Sequence, residues 1–181
     1  MSSASSPTRR NLISQFEAAA ISAAATVECV SRSASALAAA VGRIAGGRIA
    51  IAEPLDLPPE LFAELRLMPG VVTARSKQEL ATCDVGITDA FAGVARTGSV
   101  CVTVDSDYGG AISLLSRLHV AVVSADTIVE RPADLFNRNC LGGKALQRNF
   151  VFITGPSATA DMGPLVRGVH GPHKLHVVIL E

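Results

Sequence analysis

The last third of the chain, Asn149–Leu180, reads NFVFITGPSATADMGPLVRGVHGPHKLHVVIL, and its reading decides the fold. Two short apolar runs, Phe150–Thr154 and Leu175–Leu180, are rich in β-branched residues and predict buried strands. They bracket Gly155–His173, a segment of Gly, Pro, Ser, Thr and His with little that could fill a core. A buried strand that ends in Gly-Pro-Ser presents small hydroxyls and backbone N–H groups at a sheet's carboxyl edge, where ligands bind in open α/β sheets.

Upstream, His119–Ser124 (HVAVVS) predicts another buried strand. Arg48–Ala52, Val71–Ala74 and Val85–Thr88 predict three shorter ones. Val94–Arg96 and Ser99–Val104, joined at Thr97-Gly98, predict a hairpin. Helices fall between them. Pro58-Pro59 opens one over Glu60–Leu67. The capping box Ser76-x-x-Glu79 predicts one over 77–83. Pro132–Asn139 predicts a third, with Asp134 and Arg138 matching the helix dipole. Residues 111–117 fit helix or extended chain equally well. The alternation predicts an α/β domain with a mostly parallel or mixed sheet flanked by helices.

The N-terminal stretch Arg9–Val41 is dense in Ala and reads as helical, with Ser31, Ser33 and Ser35 leaving its second half open as a separate turn or helix. Leu12, Phe16, Ala19, Ala23 and Val27 would share one face, and Glu28 and Arg32 would pair across one turn. The expected organisation is a disordered segment 1–8 and a single domain 9–181, with a helical lead-in over 9–45 and an α/β core over 46–181.

Composition narrows the function classes. A chain of 181 residues suits one domain, and 49% apolar with 4% aromatic residues means an aliphatic core. Sixteen basic residues balance sixteen acidic ones, which argues against a general nucleic-acid binder. No apolar run approaches the roughly 20 residues that span a bilayer. Gln15, Glu17, Ser22 and Glu28 interrupt any secretory core, so the expectation is a cytoplasmic protein without membrane contact. Cys29, Cys83, Cys101 and Cys140 have neither zinc-ribbon nor ferredoxin spacing and read as reduced thiols.

Four groups could carry chemistry. Gly155-Pro156-Ser157-Ala158-Thr159-Ala160-Asp161 can hold an anion such as a carboxylate or phosphate, or can be a plain capping turn. His170, His173 and His176 are spaced H-x2-H-x2-H, which is poor for zinc, so no metal is expected; His170 is better placed for a structural hydrogen bond or for contact with a ligand's carboxylate. Arg96-Thr97-Gly98-Ser99 can aim N–H groups and a guanidinium into a cleft, or can be a solvated hairpin. Asp84, Asp89, Asp105 and Asp107 read more readily as turn residues than as a metal site or general base. Walker A, GxGxxG and G-x-S-x-G patterns are absent, so no residue is assigned a catalytic role.

The strings Ile153-Thr154-Gly155-Pro156-Ser157-Ala158-Thr159-Ala160-Asp161 and Gly168-Val169-His170-Gly171-Pro172, followed by a terminal apolar strand, resemble the LUD-domain proteins. Within them the likeness is to the lactate utilisation protein C (LutC) branch. Val94-Ala95-Arg96-Thr97-Gly98-Ser99 is similar to that branch's I-A-E-T-G-T element, and the resemblance covers about residues 80–181. Three departures stand out: Arg96 replaces an acid, Ser99 replaces Thr, and Ala158 stands where Arg is frequent.

The resemblance implies a fold similar to the ribose-phosphate isomerase and CoA-transferase (NagB/RpiA-like) superfamily. It implies a cluster-free subunit that supports oxidation of L-lactate to pyruvate beside iron–sulfur partner proteins and binds a small carboxylate or other anionic ligand. No cofactor is expected in this chain; iron–sulfur clusters are expected in the partner subunits. Self-association is expected if the Ala-rich first helix is exposed. The ligand site implied is Thr97, Gly98, Gly155, Ser157, Thr159, Asp161 and His170. Two other readings stay open: a stand-alone transferase or ligase acting on a CoA, phosphate or folate substrate, and a regulatory ligand-binding module.

Overall fold

A computed structural model describes residues 8–74, 76–105, 108–160 and 163–181. Six strands form one parallel sheet in the order β1-β12-β7-β4-β2-β3. They are β1 (Thr26–Val30), β2 (Ile49–Ile51), β3 (Val71–Val72), β4 (Val85–Ala90), β7 (Leu118–Ser124) and β12 (Lys174–Leu180). β12 and β7 pair along their whole length, from Lys174 beside Leu118 to Leu180 beside Ser124, and both are buried from their second residue on. Strands covered on both faces favour apolar residues at every position, which is why both are mainly aliphatic, with His119, Ser124 and His176 the buried polar exceptions.

The two faces carry different cover. Val120 and Val122 of β7, with Val178 and Leu180 of β12, pack against Leu37, Ala40 and Val41 of α2 (Ala34–Gly42) and Leu65 of α3 (Ala63–Arg66). Their alternates Ala121, Val123, Val177 and Ile179 face Ile13, Phe16 and Ala20 of α1 (Arg9–Ser22). A second sheet, in the order β8-β5-β6-β9, lies over this same side. Its strands are β5 (Ala92–Val94), β6 (Ser99–Thr103), β8 (Ile128–Val129) and β9 (Phe150–Ile153). The remaining elements are α4 (Lys77–Leu80), α5 (Gly109–Leu115), a small hairpin of β10 (Ala158–Thr159) and β11 (Val166–Arg167), and 3₁₀ segments at Pro59–Phe62, Ala125–Thr127, Pro132–Phe136 and Cys140–Leu146.

The α/β class, the 94–104 hairpin and the strands at 48–52, 71–74, 85–88, 119–124, 150–154 and 175–180 all appear within a few residues of their expected bounds. Ser76 caps α4 by accepting from the Glu79 N–H at 3.2 Å, as the capping box predicts. The ambiguous stretch 111–117 is largely helical, in α5. The third expected helix, over 132–139, is a 3₁₀ turn at Pro132–Phe136.

Two expectations fail. The lead-in is not wholly helical: α1 ends at Ser22, and Thr26–Val30 is an edge strand of the large sheet, paired with β12, before the separate helix α2. Val27 is therefore on a strand rather than a helix face. Glu28 pairs with Arg43, and Arg32 with Asp126 at 3.4 Å, instead of with each other. The second failure is β9. It pairs antiparallel with β6 in the smaller sheet, so Gly155-Pro156-Ser157 does not follow a strand of the large parallel sheet.

Candidate functional site

At the carboxyl edge of the large sheet, where a ligand was expected, a cavity of about 640 Å³ lies beyond the ends of β2 and β3, lined by Ala52, Glu53, Arg66, Thr73, Ala74 and Asp105, while the crevice beside it is filled from within. Connections leave β2 toward β3 and leave β4 toward β7, so the crevice between β2 and β4 is the switch point of the topology. After β2 the N–H groups of Leu55, Asp56 and Leu57 all donate to one carboxylate oxygen of Asp89, at 2.9, 2.6 and 3.0 Å. Burial pushes the Asp89 carboxyl pKa up, against the lowering pull of these donors. Beside it, the buried Asp56 carboxylate accepts from Lys144 at 2.9 Å and Arg148 at 2.6 Å. Arg148 also donates to Thr103 at 3.1 Å and lies over the Phe91 ring. Asp89 thus does inside the protein what a bound anion would do at such a nest of N–H groups.

The two Gly-Pro loops of the bracketed segment meet elsewhere. The Ser157 N–H donates to Pro172 O, and the Gly168 N–H donates to Ser157 O, both at 3.0 Å. Gly171 lies against Ser157: a Cβ there would stand 3.2 Å from Ser157 Cβ. Gly155-Pro156-Ser157 and His170-Gly171-Pro172 thereby form one rim of a cavity of about 540 Å³. Its walls are α5, through Gly110, Ser113 and Leu114, and β9, through Val151, Phe152 and Ile153. Its lining reaches His119 and Leu175, the second residues of β7 and β12. The cavity therefore lies over a face of the large sheet near its amino end.

His119 is fully buried. Its Nε2 is 2.9 Å from the Thr88 hydroxyl, and its Nδ1 has no hydrogen-bond partner among the described residues. Burial lowers its pKa to about 4, so the ring is neutral near neutral pH. No Lys, Arg, Asp or Glu lines the cavity among the described residues; its polar side chains are Ser113, His119, Thr154, Ser157 and His170.

Of the expected ligand residues, Gly155, Ser157 and His170 line this cavity. Thr97 reaches it through other hydroxyls: its Oγ1 is 2.7 Å from Ser99 Oγ, which is 2.6 Å from Thr154 Oγ1 on the cavity wall. Gly98 does not line it. A Cβ at Gly98 would stand 2.2 Å from Ala20 N, and one at Gly155 would stand 2.0 Å from Ala23 O. Both glycines have positive φ, 65° and 70°, and both admit the carboxyl end of α1 at van der Waals range. Thr159 is in β10, off the cavity lining, and Asp161 lies outside the described residues.

The three histidines of the H-x2-H-x2-H run take separate positions. His170 is exposed at the rim, the His173 ring packs under Gly168, and His176 is buried with Nδ1 2.7 Å from the Thr26 hydroxyl. Among the described residues, no group of three or more His, Cys, Asp or Glu is placed to hold a metal ion. Arg96 is exposed. Asp84 accepts from the Arg48 N–H, Asp105 holds Asn149, and Asp107 is outside the described residues. The cysteines are all unpaired, and burial pushes the Cys101 thiol up to about 12. His119 was missed as a site residue, although a histidine inside HVAVVS is a polar group in an otherwise aliphatic buried strand and so a signal in itself.

The sequence model of the LUD domain matches residues 63–180, nearly two thirds of the chain and both rim loops. The chain belongs to the LUD domain family. Curated relatives include lactate utilization protein C of Bacillus subtilis, 35% identical over 102 residues, and of Shouchella clausii, 34% identical over 110 residues. These alignments cover 54% and 59% of this chain but 42% and 48% of the relatives, so this LUD chain spans less than half the length of the curated proteins it matches. Among solved structures, a DUF162 family protein from Deinococcus radiodurans superposes with a TM-score of 0.69 over 97% of this chain and 99% of that one. At 24% identity, that likeness shows the α/β fold and nothing more. Among the described residues of this LUD protein, no helix is long and apolar enough to cross a membrane.

Proposed function

We propose that this chain serves lactate utilisation as a cluster-free component that works beside iron–sulfur partner proteins. Its cavity takes a small carboxylate or other anion at the rim, where Ser157 and His170 offer a hydroxyl and an imidazole. The observation that carries this reading is convergence. The Gly-Pro-Ser and His-Gly-Pro loops stand on either side of the β10–β11 hairpin, and backbone hydrogen bonds hold them as one rim. Residues 63–180, which hold both loops, match the family that includes proteins named for lactate utilisation.

Binding is favoured over stand-alone transfer chemistry because, among the described residues, no carboxylate lines the cavity to act as the nucleophile of a CoA-transferase-like reaction. The test is anaerobic affinity purification of the tagged protein from its own cells grown on L-lactate. Iron and lactate-oxidising activity in the eluate are expected. An iron-free, inactive eluate contradicts the proposal.

A further inference from the structure

The amino end of the large sheet carries a charge imbalance that the rim cavity does not use. Basic and acidic residues are equal in number over the whole chain, so a cluster of one sign has to be assembled by the fold. Arg117 directly precedes β7, Lys174 opens β12, and Arg167 lies in β11. The His173 and Lys174 N–H groups both donate to Arg117 O, at 2.9 and 3.2 Å. The His173 ring packs under Gly168, the neighbour of Arg167. Three segments of chain are thereby fixed side by side.

Two adjoining hollows, of about 390 and 460 Å³, open among them. Ile44, Leu118, His173 and Lys174 line both; Arg117 lines the first alone and Arg167 the second alone. The cations therefore follow one another as Arg117, Lys174, Arg167. None of the three makes an ion pair among the described residues. Asp84 is the one carboxylate in either lining among the described residues, and it already accepts from the Arg48 N–H at 2.9 Å. Glu28, 4.0 Å from His176 at the second hollow, is paired with Arg43. Three cations against one carboxylate leave an excess of two positive charges.

All three cations are exposed, so water and salt screen them, and one such pair contributes little to holding an anion. A ligand with a single anionic group meets part of the row. A ligand with two, set apart by a short carbon chain, meets a guanidinium at each end, whose fork suits a carboxylate, and the Lys174 ammonium between. Its carbon chain then lies on Ile44 and Leu118, which both hollows share. We infer that the amino end of the large sheet binds a small dicarboxylate, with one carboxylate at Arg117, the other at Arg167 and Lys174 between them. This second site is separate from the rim of Ser157 and His170 and does not rest on the lactate reading.

The test is calorimetry of the purified chain at low ionic strength, with succinate, glutarate, adipate, butyrate and inorganic phosphate as probes. The best of the three dicarboxylates should bind about tenfold more tightly than butyrate or phosphate, and added salt should weaken it several-fold. Arg117→Gln and Arg167→Gln, both at exposed positions, should each bring that dicarboxylate down to the level of butyrate. Arg138→Gln removes the same charge at an exposed position outside both linings and should leave binding as it was. Equal binding of mono- and dicarboxylates, tighter binding of phosphate, or no binding of any dicarboxylate at millimolar concentration overturns the inference. So does an equal loss in Arg138→Gln and Arg117→Gln, which would show an effect of net charge alone.

Discussion

Single residues set the end of the first helix. Ala23, Ala24 and Ala25 close α1 by backbone bonds, including Ala25 N–H to Ala20 O at 2.9 Å, and Ala24 takes φ 66°. Helices usually place Gly in that left-handed position, and an alanine there carries a conformational cost of about 1 kcal/mol. Ala24→Gly should therefore stabilise the protein by up to about 1 kcal/mol, read as a higher urea midpoint with an unchanged slope. Gly98 and Gly155 press on the same helix end, and a methyl group at either would meet α1 backbone. Gly98→Ala and Gly155→Ala should each cost about 2–5 kcal/mol, the left-handed penalty plus overpacking. A cost below 1 kcal/mol for either would show that α1 does not sit between these turns.

His119 predicts a pH dependence whose sign follows from burial. Its folded pKa is near 4 and its ordinary value 6.5, so the unfolded chain takes up the proton first. Stability is complete above about pH 6.5 and is lost as pH falls toward 4, by about 3 kcal/mol at 1.36 kcal/mol per unit of pKa. Urea unfolding of wild type and His119→Gln across this window should show the gap between them closing on acidification. His170, the other histidine at the cavity, is exposed and present in both proteins, so it cancels in the comparison.

At the scale of elements, the mainly aliphatic strands were legible, because burial on both faces favours apolar residues along β7 and β12. β1 was not. Thr26–Val30 is an edge strand with half-exposed residues, it follows an Ala-rich helix with no glycine stop, and Glu28 breaks its apolar pattern. The partner of β9 was hidden as well, since an apolar run such as FVFI says nothing of which sheet it joins. The Asp56–Lys144–Arg148 cluster joins segments about ninety positions apart, a juxtaposition that no local pattern announces. It ties the 3₁₀ segment Cys140–Leu146 to the loop after β2. Arg148→Met should cost about 2–4 kcal/mol by leaving Asp56 with Lys144 alone, and double replacement of Arg148 and Asp56 should recover part of the loss.

Across the whole molecule, sequence and structure agree on the α/β class, and the structure brings the two motif loops together away from the sheet edge where the sequence placed them. The loops meet over a face of the large sheet, while at the carboxyl edge Asp89 fills the crevice between β2 and β4 and a separate cavity lies beyond β2 and β3. Ser157 and His170 could be named from motifs alone; His119 could be placed opposite them only once β7, α5 and β9 were assembled around one cavity.

The central claim is that this cavity serves lactate utilisation, and its most direct test is growth. A strain whose chromosomal copy carries Ser157→Trp, which blocks the rim at a half-buried position, would be compared with wild type at equal protein level on L-lactate and on glucose. Loss of growth on L-lactate with normal growth on glucose is the predicted result. Undiminished growth on L-lactate would contradict the account.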